Sequence, residues 1–222
     1  MSTRAREDWQ KEERREAIVQ AAEALFVEAG GVTPSVGAVA ERAGLAKGTV
    51  YLYFKSKEEL FAAVMESRFL RWIEDIDRGF DLLGERWTVE GAVEAFVAPV
   101  IADPLVIRLA TYSNVVDTPA EEIDSDLAWR ARLAKAIDGI ARRIEAGIPD
   151  LKPGDGAGLL IKSYAYILGA WQFVPPALVM EEIRKREDLA VYRLELGPLL
   201  ESGLVALWNG VLAAARAGRG AS

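Results

Sequence analysis

Apolar or small side chains recur near the start of the chain at Ile18, Ala21, Ala22, Leu25, Phe26 and Ala29. Steps of three and four residues put them on one face of a helix. Gly30-Gly31 ends that helix, because glycine adopts the left-handed conformation that closes a helix at little cost. Ser35 then stands as an N-cap before a short apolar face of Val36, Val39, Ala40 and Ala43, and Gly44 closes this second helix. A third short helix is predicted from about Lys47 to Phe54. Ser56 and Glu59 have the spacing of a capping box and open a long fourth helix, apolar at Phe61, Met65, Phe69, Trp72, Ile76, Phe80 and Leu83. Further helices are predicted at roughly 88–101, 105–115, 121–147, 156–174 and 197–217, with Pro and Gly in the gaps. No alternating run supports a sheet, so the expected fold class is all-α.

Two of these segments carry a second layer of pattern. Leu160, Tyr164, Ile167, Trp171 and Val174 step by four and three, as do Leu200, Leu204, Leu207, Val211 and Ala214. That is the seam of a helix bundle, formed within one chain or between two. The last helix has another face of Leu199, Gly203, Ala206, Gly210 and Ala213. A mid-helix glycine costs about 1 kcal/mol relative to alanine, so two of them point to close approach of another helix. The expected dimer interface comprises Leu160, Ile167, Gly203, Ala206, Leu207 and Gly210.

Composition removes several chemistries. The 222 residues are 51% hydrophobic and 27% charged, which suits a folded core in one or two domains. Cysteine and histidine are both absent. Disulfides, thiolate or histidine metal sites and Ser-His-Asp triads are therefore excluded, and neither an enzyme, a metal nor a cofactor is expected. The acids Glu121, Glu122, Asp124 and Asp126 lack the glycine and glutamate of a calcium loop and read as favourable charges in a first helical turn. The start has no apolar signal core. Residues 163–180 carry no formal charge, but Pro175-Pro176 break them into a piece too short to span a bilayer. No membrane association and a cytoplasmic location are expected.

The net charge of −7 hides a split: nine basic against eight acidic side chains in residues 1–57, and 18 against 26 in the remaining 165. From Ala43 to Lys57 there are three lysines and no acid, and local potential governs phosphate binding. The four arginines Arg4, Arg6, Arg14 and Arg15 are diluted by Glu7, Asp8, Glu12 and Glu13, and that segment is expected to be disordered and solvated rather than a DNA-binding arm.

Residues 36–54 have the layout helix, tight turn, helix. Val50 and Phe54, four apart, can pack inward, which leaves Lys47, Thr49, Tyr51, Tyr53 and Lys55 for the outer surface. Lysines and tyrosine hydroxyls suit phosphates, Thr49 suits base edges, and Gly48 removes a side chain where the backbone would approach DNA.

From AIVQAAEALFVEAGG through SVGAVAERAGLAKGTVYLYFKSKEELF, about Arg15 to Phe61, the chain resembles the TetR (tetracycline-repressor-like) family of bacterial transcriptional regulators. The resemblance implies an N-terminal three-helix DNA-binding domain, here residues 1–57, and a C-terminal effector-binding and dimerisation domain, residues 58–222. It implies a homodimer on palindromic double-stranded operator DNA, acting as a repressor released by a small organic effector. DNA contacts carry over to Ser35, Lys47, Gly48, Thr49, Tyr51, Tyr53 and Lys57, beside Lys55. Gly37 and Ala38 stand where many relatives carry an arginine or another polar residue, and Ala46 replaces a frequent serine. Trp72, Tyr112, Tyr164 and Trp171 are the expected effector contacts, since buried hydroxyl and indole donors need partners. A cationic effector drawn by the acidic second domain is the variant within this class. A helical interaction module and a carboxylate-based helical enzyme are the readings outside it.

Overall fold

A computed structural model describes residues 3–85, 87–113 and 123–220. For residues 3–5, 7, 8, 112, 113, 125 and 218–220 it describes the backbone alone. Every regular element among the described residues is helical. In chain order these are α1 (Thr3–Glu28), α2 (Val36–Arg42), α3 (Lys47–Val50), α4 (Lys57–Leu83), α5 (Val89–Ala102), α6 (Leu105–Ser113), α7 (Ile123–Gly147), α8 (Asp155–Phe173), α9 (Ala177–Arg184) and α10 (Leu196–Gly220). A 3-10 helix, Glu187–Tyr192, stands between α9 and α10. The chain divides into two compact units. One holds the residues up to Phe69 together with α6 from Arg108 on; the other holds Leu70–Ile107 and everything from α7 onward.

The first unit is built on the predicted apolar faces. Ile18, Ala22 and Phe26 of α1, Val36, Val39 and Ala40 of α2, Val50 and Phe54 of the α3 region, and Leu60, Phe61 and Val64 of α4 are all buried. Gly30 and Gly31 take φ of +61° and +87°, and Gly44 takes +68°, the left-handed conformation both helix endings require. Ser35 caps α2 by accepting the Ala38 N–H at 3.2 Å. At the head of α4, Ser56 Oγ accepts the Glu59 N–H at 2.9 Å while the Glu59 carboxylate accepts the Lys55 N–H. The capping box thus forms, with its return bond one residue earlier than the motif would place it. A buried ion pair, Arg68 to Glu23 at 3.0 Å, joins α4 to α1.

Two expectations change here. α1 begins at Thr3, so the segment expected to be disordered is helical, with exposed side chains from Trp9 to Arg14. The regular helix of α3 ends at Val50, and hydrogen-bonded turns continue to Phe54, with the Leu52 and Tyr53 N–H groups bonding carbonyls three residues back and the Phe54 N–H bonding the Val50 carbonyl at 3.0 Å.

In the second unit α10 packs on α5 and α8, and α7 packs on α8. α8 stops at Phe173, just ahead of Pro175, as the prolines require. Its first turn is capped from outside: the Glu145 carboxylate accepts the Gly154 and Gly156 N–H groups at 2.8 and 2.9 Å. Arg143 on α7 bonds Asp77 and Asp81 on α4, and those contacts raise its pKa against the opposing effect of burial. A buried polar link runs from the Trp208 indole N–H to Ser163 Oγ (2.9 Å), whose hydroxyl donates to the Leu159 carbonyl (2.8 Å).

α9 and the 3-10 helix were not predicted. Only Met180 and Ile183 of α9 are buried, and the 3-10 helix buries no residue, so this stretch has too few core positions to show a period. α10 buries Leu200, Leu204, Trp208 and Leu212, a run of four-residue steps that differs from the predicted Leu207–Val211 seam. α10 is also the helix, among the described residues, long and apolar enough by composition to cross a membrane, with mean hydropathy 1.3 over Leu196–Ala217. Its packing on two neighbours marks it as a core helix with an open face.

Candidate nucleic-acid interface

α2 packs on both α1 and α3, and this holds the α3 region as a surface ridge. Val50 and Phe54 anchor the ridge from below, fully buried. Lys47, Gly48, Tyr51 and Lys55 are exposed, and Thr49 and Tyr53 are half-buried. The Lys47 ammonium lies 6.0 Å from the centre of the Tyr51 ring. Ala46 occupies the N-cap of α3 without a side-chain hydrogen bond. Ser35 is exposed at the head of α2; its oxygen is used by the Ala38 N–H, and its own O–H remains a donor.

Gly48 is informative. It is absent from the positive-φ glycines, and a Cβ there would meet nothing within 4 Å. The fold itself does not demand glycine at this position. What the missing side chain leaves is a flat opening on the outer surface, between Lys47 and Thr49.

Lys57 is placed differently from the other cations. Its ammonium donates to the Thr33 carbonyl at 3.0 Å and lies 5.9 Å from the Phe61 ring centre, half-buried at the start of α4. It braces the loop before α2 and has fewer donors to spare for phosphate than Lys55. Sequence reasoning passed over Leu52, which is 80% exposed beside Tyr51. An apolar side chain at such an edge suits a thymine methyl group, and its signal was the two flanking tyrosines.

The predicted effector and dimer residues fall in the second unit, except Tyr112, whose side chain lies outside the described residues. Trp72 is buried, with its ring 5.2 Å from Phe96 and 6.1 Å from Tyr164. The structure thus brings two of the named aromatics together, while Trp171 is half-buried on the same helix as Tyr164. Among the expected dimer contacts, Leu160 and Ile167 are buried within the chain. They face inward, and the side of α8 open to another molecule carries Ile161, Ala165 and Gln172. Gly203 is occupied by its own chain, since a Cβ there would lie 1.9 Å from the Tyr166 hydroxyl oxygen. Leu207 is half-buried, and Ala206 and Gly210 are exposed. A Cβ at Gly210 would meet nothing. The exposed stripe Ser202, Ala206, Asn209, Gly210 and Ala213 carries no charge.

Residues 66–215 match the family model described as the tetracyclin repressor-like C-terminal domain, and residues 18–64 match the bacterial regulatory proteins of the tetR family. The chain belongs to the TetR family of transcriptional regulators. This is a family of DNA-binding proteins and not of enzymes. Proteins similar to this chain include the HTH-type transcriptional activator FasR of Mycolicibacterium smegmatis, 28% identical over 60% of this chain and 61% of that protein. The fatty acid metabolism regulator protein of Bacillus subtilis is 26% identical over 59% of this chain and 63% of its own length. The match thus spans about six tenths of each of these relatives. A crystal structure of a protein assigned to the TetR family in Mesorhizobium loti shares the fold, with a TM-score of 0.53 at 22% identity, covering 92% of this chain and 97% of that one.

Proposed function

We propose that this TetR-family chain is a dimeric regulator that binds a palindromic duplex through the α2–α3 region and leaves it when a small organic effector binds. The carrying observation is the ridge around α3. Lys47, Tyr51 and Lys55 are exposed about a glycine the fold does not need. That arrangement suits a backbone pressed against a groove, with phosphate contacts on either side. Ser35, Thr49 and Tyr53 complete the surface, and Lys57 joins it as a brace with partial phosphate contact. Residues 1–57 act as the DNA-binding domain and 58–222 as the effector and dimer domain.

The uncharged stripe of α10 with the open side of α8 supports a second copy as the partner, seated on Ala206 and Gly210. Such an interface is two-fold, and its symmetry matches a palindrome. For the effector, the cluster of Trp72, Phe96 and Tyr164 supports an apolar organic molecule, with Trp171, two turns along the helix that carries Tyr164, as a further contact. The names of the relatives, which refer to fatty acid metabolism and to activation, bring an acyl compound into that class and make activation the alternative to repression. A location in the cytoplasm accompanies this role.

The test selects duplexes from a random pool with the intact protein. It then follows binding against salt, alone and with acyl, aromatic and cationic compounds. Enrichment of a two-fold symmetric duplex with a steep salt dependence supports the reading. Release by a cationic compound alone overturns the apolar effector, and transcription from the selected site gives the sign of regulation.

A further inference from the structure

Sequence-specific binding needs side chains that tell one base pair from another. In the major groove the strong discriminators are two-bond contacts, arginine to guanine and asparagine or glutamine to adenine. From Val32 to Lys57, the stretch that forms α2, α3 and their turns, the chain has no asparagine and no glutamine. Its one arginine there is Arg42. The two terminal nitrogens of Arg42 donate to the two carboxylate oxygens of Glu28 on α1, at 2.9 and 2.6 Å. The fork that would grip a guanine is thus filled by a carboxylate of its own chain. On the surface of α2, half-buried Gly37 and Ala38 bring no hydrogen-bonding side chain.

What the α3 region offers instead is apolar. Val50 and Phe54 are buried and define the inner side of the ridge. At ~100° per residue, Leu52 stands about 160° around from each of them. It is 80% exposed, against 44% for Tyr51. The turns hold it there, since the Leu52 N–H bonds the Thr49 carbonyl at 3.1 Å and the Phe54 N–H bonds the Val50 carbonyl at 3.0 Å. Gly48, one turn earlier, clears the space beside it, and a Cβ there would meet nothing within 4 Å. Thr49 adds a second methyl group. Lys47, 6.0 Å from the Tyr51 ring centre, lies about 140° around from Leu52, on the flank. A leucine held out in this way gains only when a partner removes it from water. In a groove lined by phosphates that suit the flanking lysines, the apolar partner is the methyl group of thymine.

We infer that this chain reads its duplex chiefly through thymine methyl groups, with Leu52 covering the methyl of one thymine in each half-site and Thr49 beside it. The recognised feature is a 5-methyl group in the major groove and not a guanine or adenine edge gripped by two hydrogen bonds. Phosphate contacts supply affinity without sequence preference; Leu52 supplies the preference. 5-Methylcytosine carries its methyl at the same ring carbon, so a methylated cytosine opposite Leu52 binds better than an unmethylated one. This inference rests on the DNA-binding reading above and names what that surface recognises.

The test uses the intact protein and one duplex that wild type selects from a random pool. Each thymine is replaced in turn, in both half-sites together, by deoxyuridine, which deletes the methyl group and keeps the base pair. Each guanine is replaced in the same way by 7-deazaguanine, which deletes the N7 acceptor. Loss of one covered methyl costs about fourfold per head, or about 15-fold for the symmetric duplex. Wild type is expected to show that loss at one thymine position, and to prefer 5-methylcytosine over cytosine there by a similar factor. Leu52→Ala is expected to lose the sensitivity at that position while keeping the salt slope of wild type. Lys55→Ala is expected to lower the slope and keep the sensitivity. Half-sites without thymine, indifference to every uracil, or the same uracil loss in Leu52→Ala as in wild type overturns the inference while leaving DNA binding intact. A larger loss from 7-deazaguanine than from any uracil also overturns it, because Lys47 would then be reading guanine. Failure of wild type to enrich any duplex overturns the DNA-binding reading itself. Circular dichroism melts of the variants beside wild type confirm that the fold is unchanged.

Discussion

Enlarging Gly48 separates a fold requirement from a binding requirement. Its backbone is in an ordinary conformation and a Cβ there would touch nothing within 4 Å. Gly48→Ala is therefore expected to stabilise the chain, by ~0.4–1 kcal/mol through loss of unfolded-state freedom. For a protein of this size that raises Tm by about 1–4 °C. Gly48→Leu adds a larger side chain at an exposed position, on the surface proposed to face the groove. Forcing a bulky group into a close contact costs about 1–3 kcal/mol. A two-headed complex pays twice, about 2–6 kcal/mol, which corresponds to a loss of roughly 30-fold to 10⁴-fold in affinity. The assay is fluorescence anisotropy on a selected duplex, paired with thermal melts of the free proteins. A leucine variant that melts like wild type and binds with wild-type affinity would refute the placement of Gly48 against DNA.

Gly210→Leu should leave the monomer fold intact, since its Cβ meets nothing, while weakening the dimer in sedimentation equilibrium; Gly203→Leu should instead lower Tm by colliding with Tyr166, and a full-strength Gly210→Leu dimer would move the interface elsewhere. Ser163→Ala strands the buried Trp208 N–H and is expected to cost about 1–3 kcal/mol in denaturant melts; an unchanged midpoint would show that the bond contributes nothing. Lys55→Ala should lower the salt slope of DNA binding by about 0.9 per head, and Lys57→Ala by less, with a lower Tm from the lost bond to Thr33. The hydrogen bond from Arg42 holds the Glu28 carboxyl below its ordinary value. A carboxyl lowered in the fold stabilises above its unfolded pKa and loses that contribution as pH falls through the folded one. Glu28→Gln should therefore melt less stably than wild type at neutral pH, with the difference closing in acid.

Within residues 18–83, α1, α2 and α4 were legible because each has an apolar period with a cap or a glycine at one end. Ser35, Gly44 and Ser56 each do in the structure what their residue type predicts. Lys57 was not legible in the same way: its partner is the Thr33 carbonyl, 24 residues away, and no local pattern encodes such a bond. Tyr166 from α8 fills the notch at Gly203 and donates to the Leu199 carbonyl, and α10 buries Trp208 where the spacing pointed to Leu207. Leu160 and Ile167 had the right spacing for a bundle seam, but spacing cannot say whether the partner helix belongs to the same chain. α9 escaped notice because two buried side chains, Met180 and Ile183, are too few to set a period.

The central claim is that the α3 ridge binds duplex DNA as a pair of heads. Salt-dependent binding to a duplex selected from a random pool tests it most directly, with Lys47→Ala/Tyr51→Ala measured beside wild type. The account predicts a two-fold symmetric duplex, an affinity that falls steeply as salt rises, and a smaller salt slope for the variant at unchanged thermal stability. No enrichment of any duplex, or a variant that binds with the affinity and slope of wild type, would contradict it.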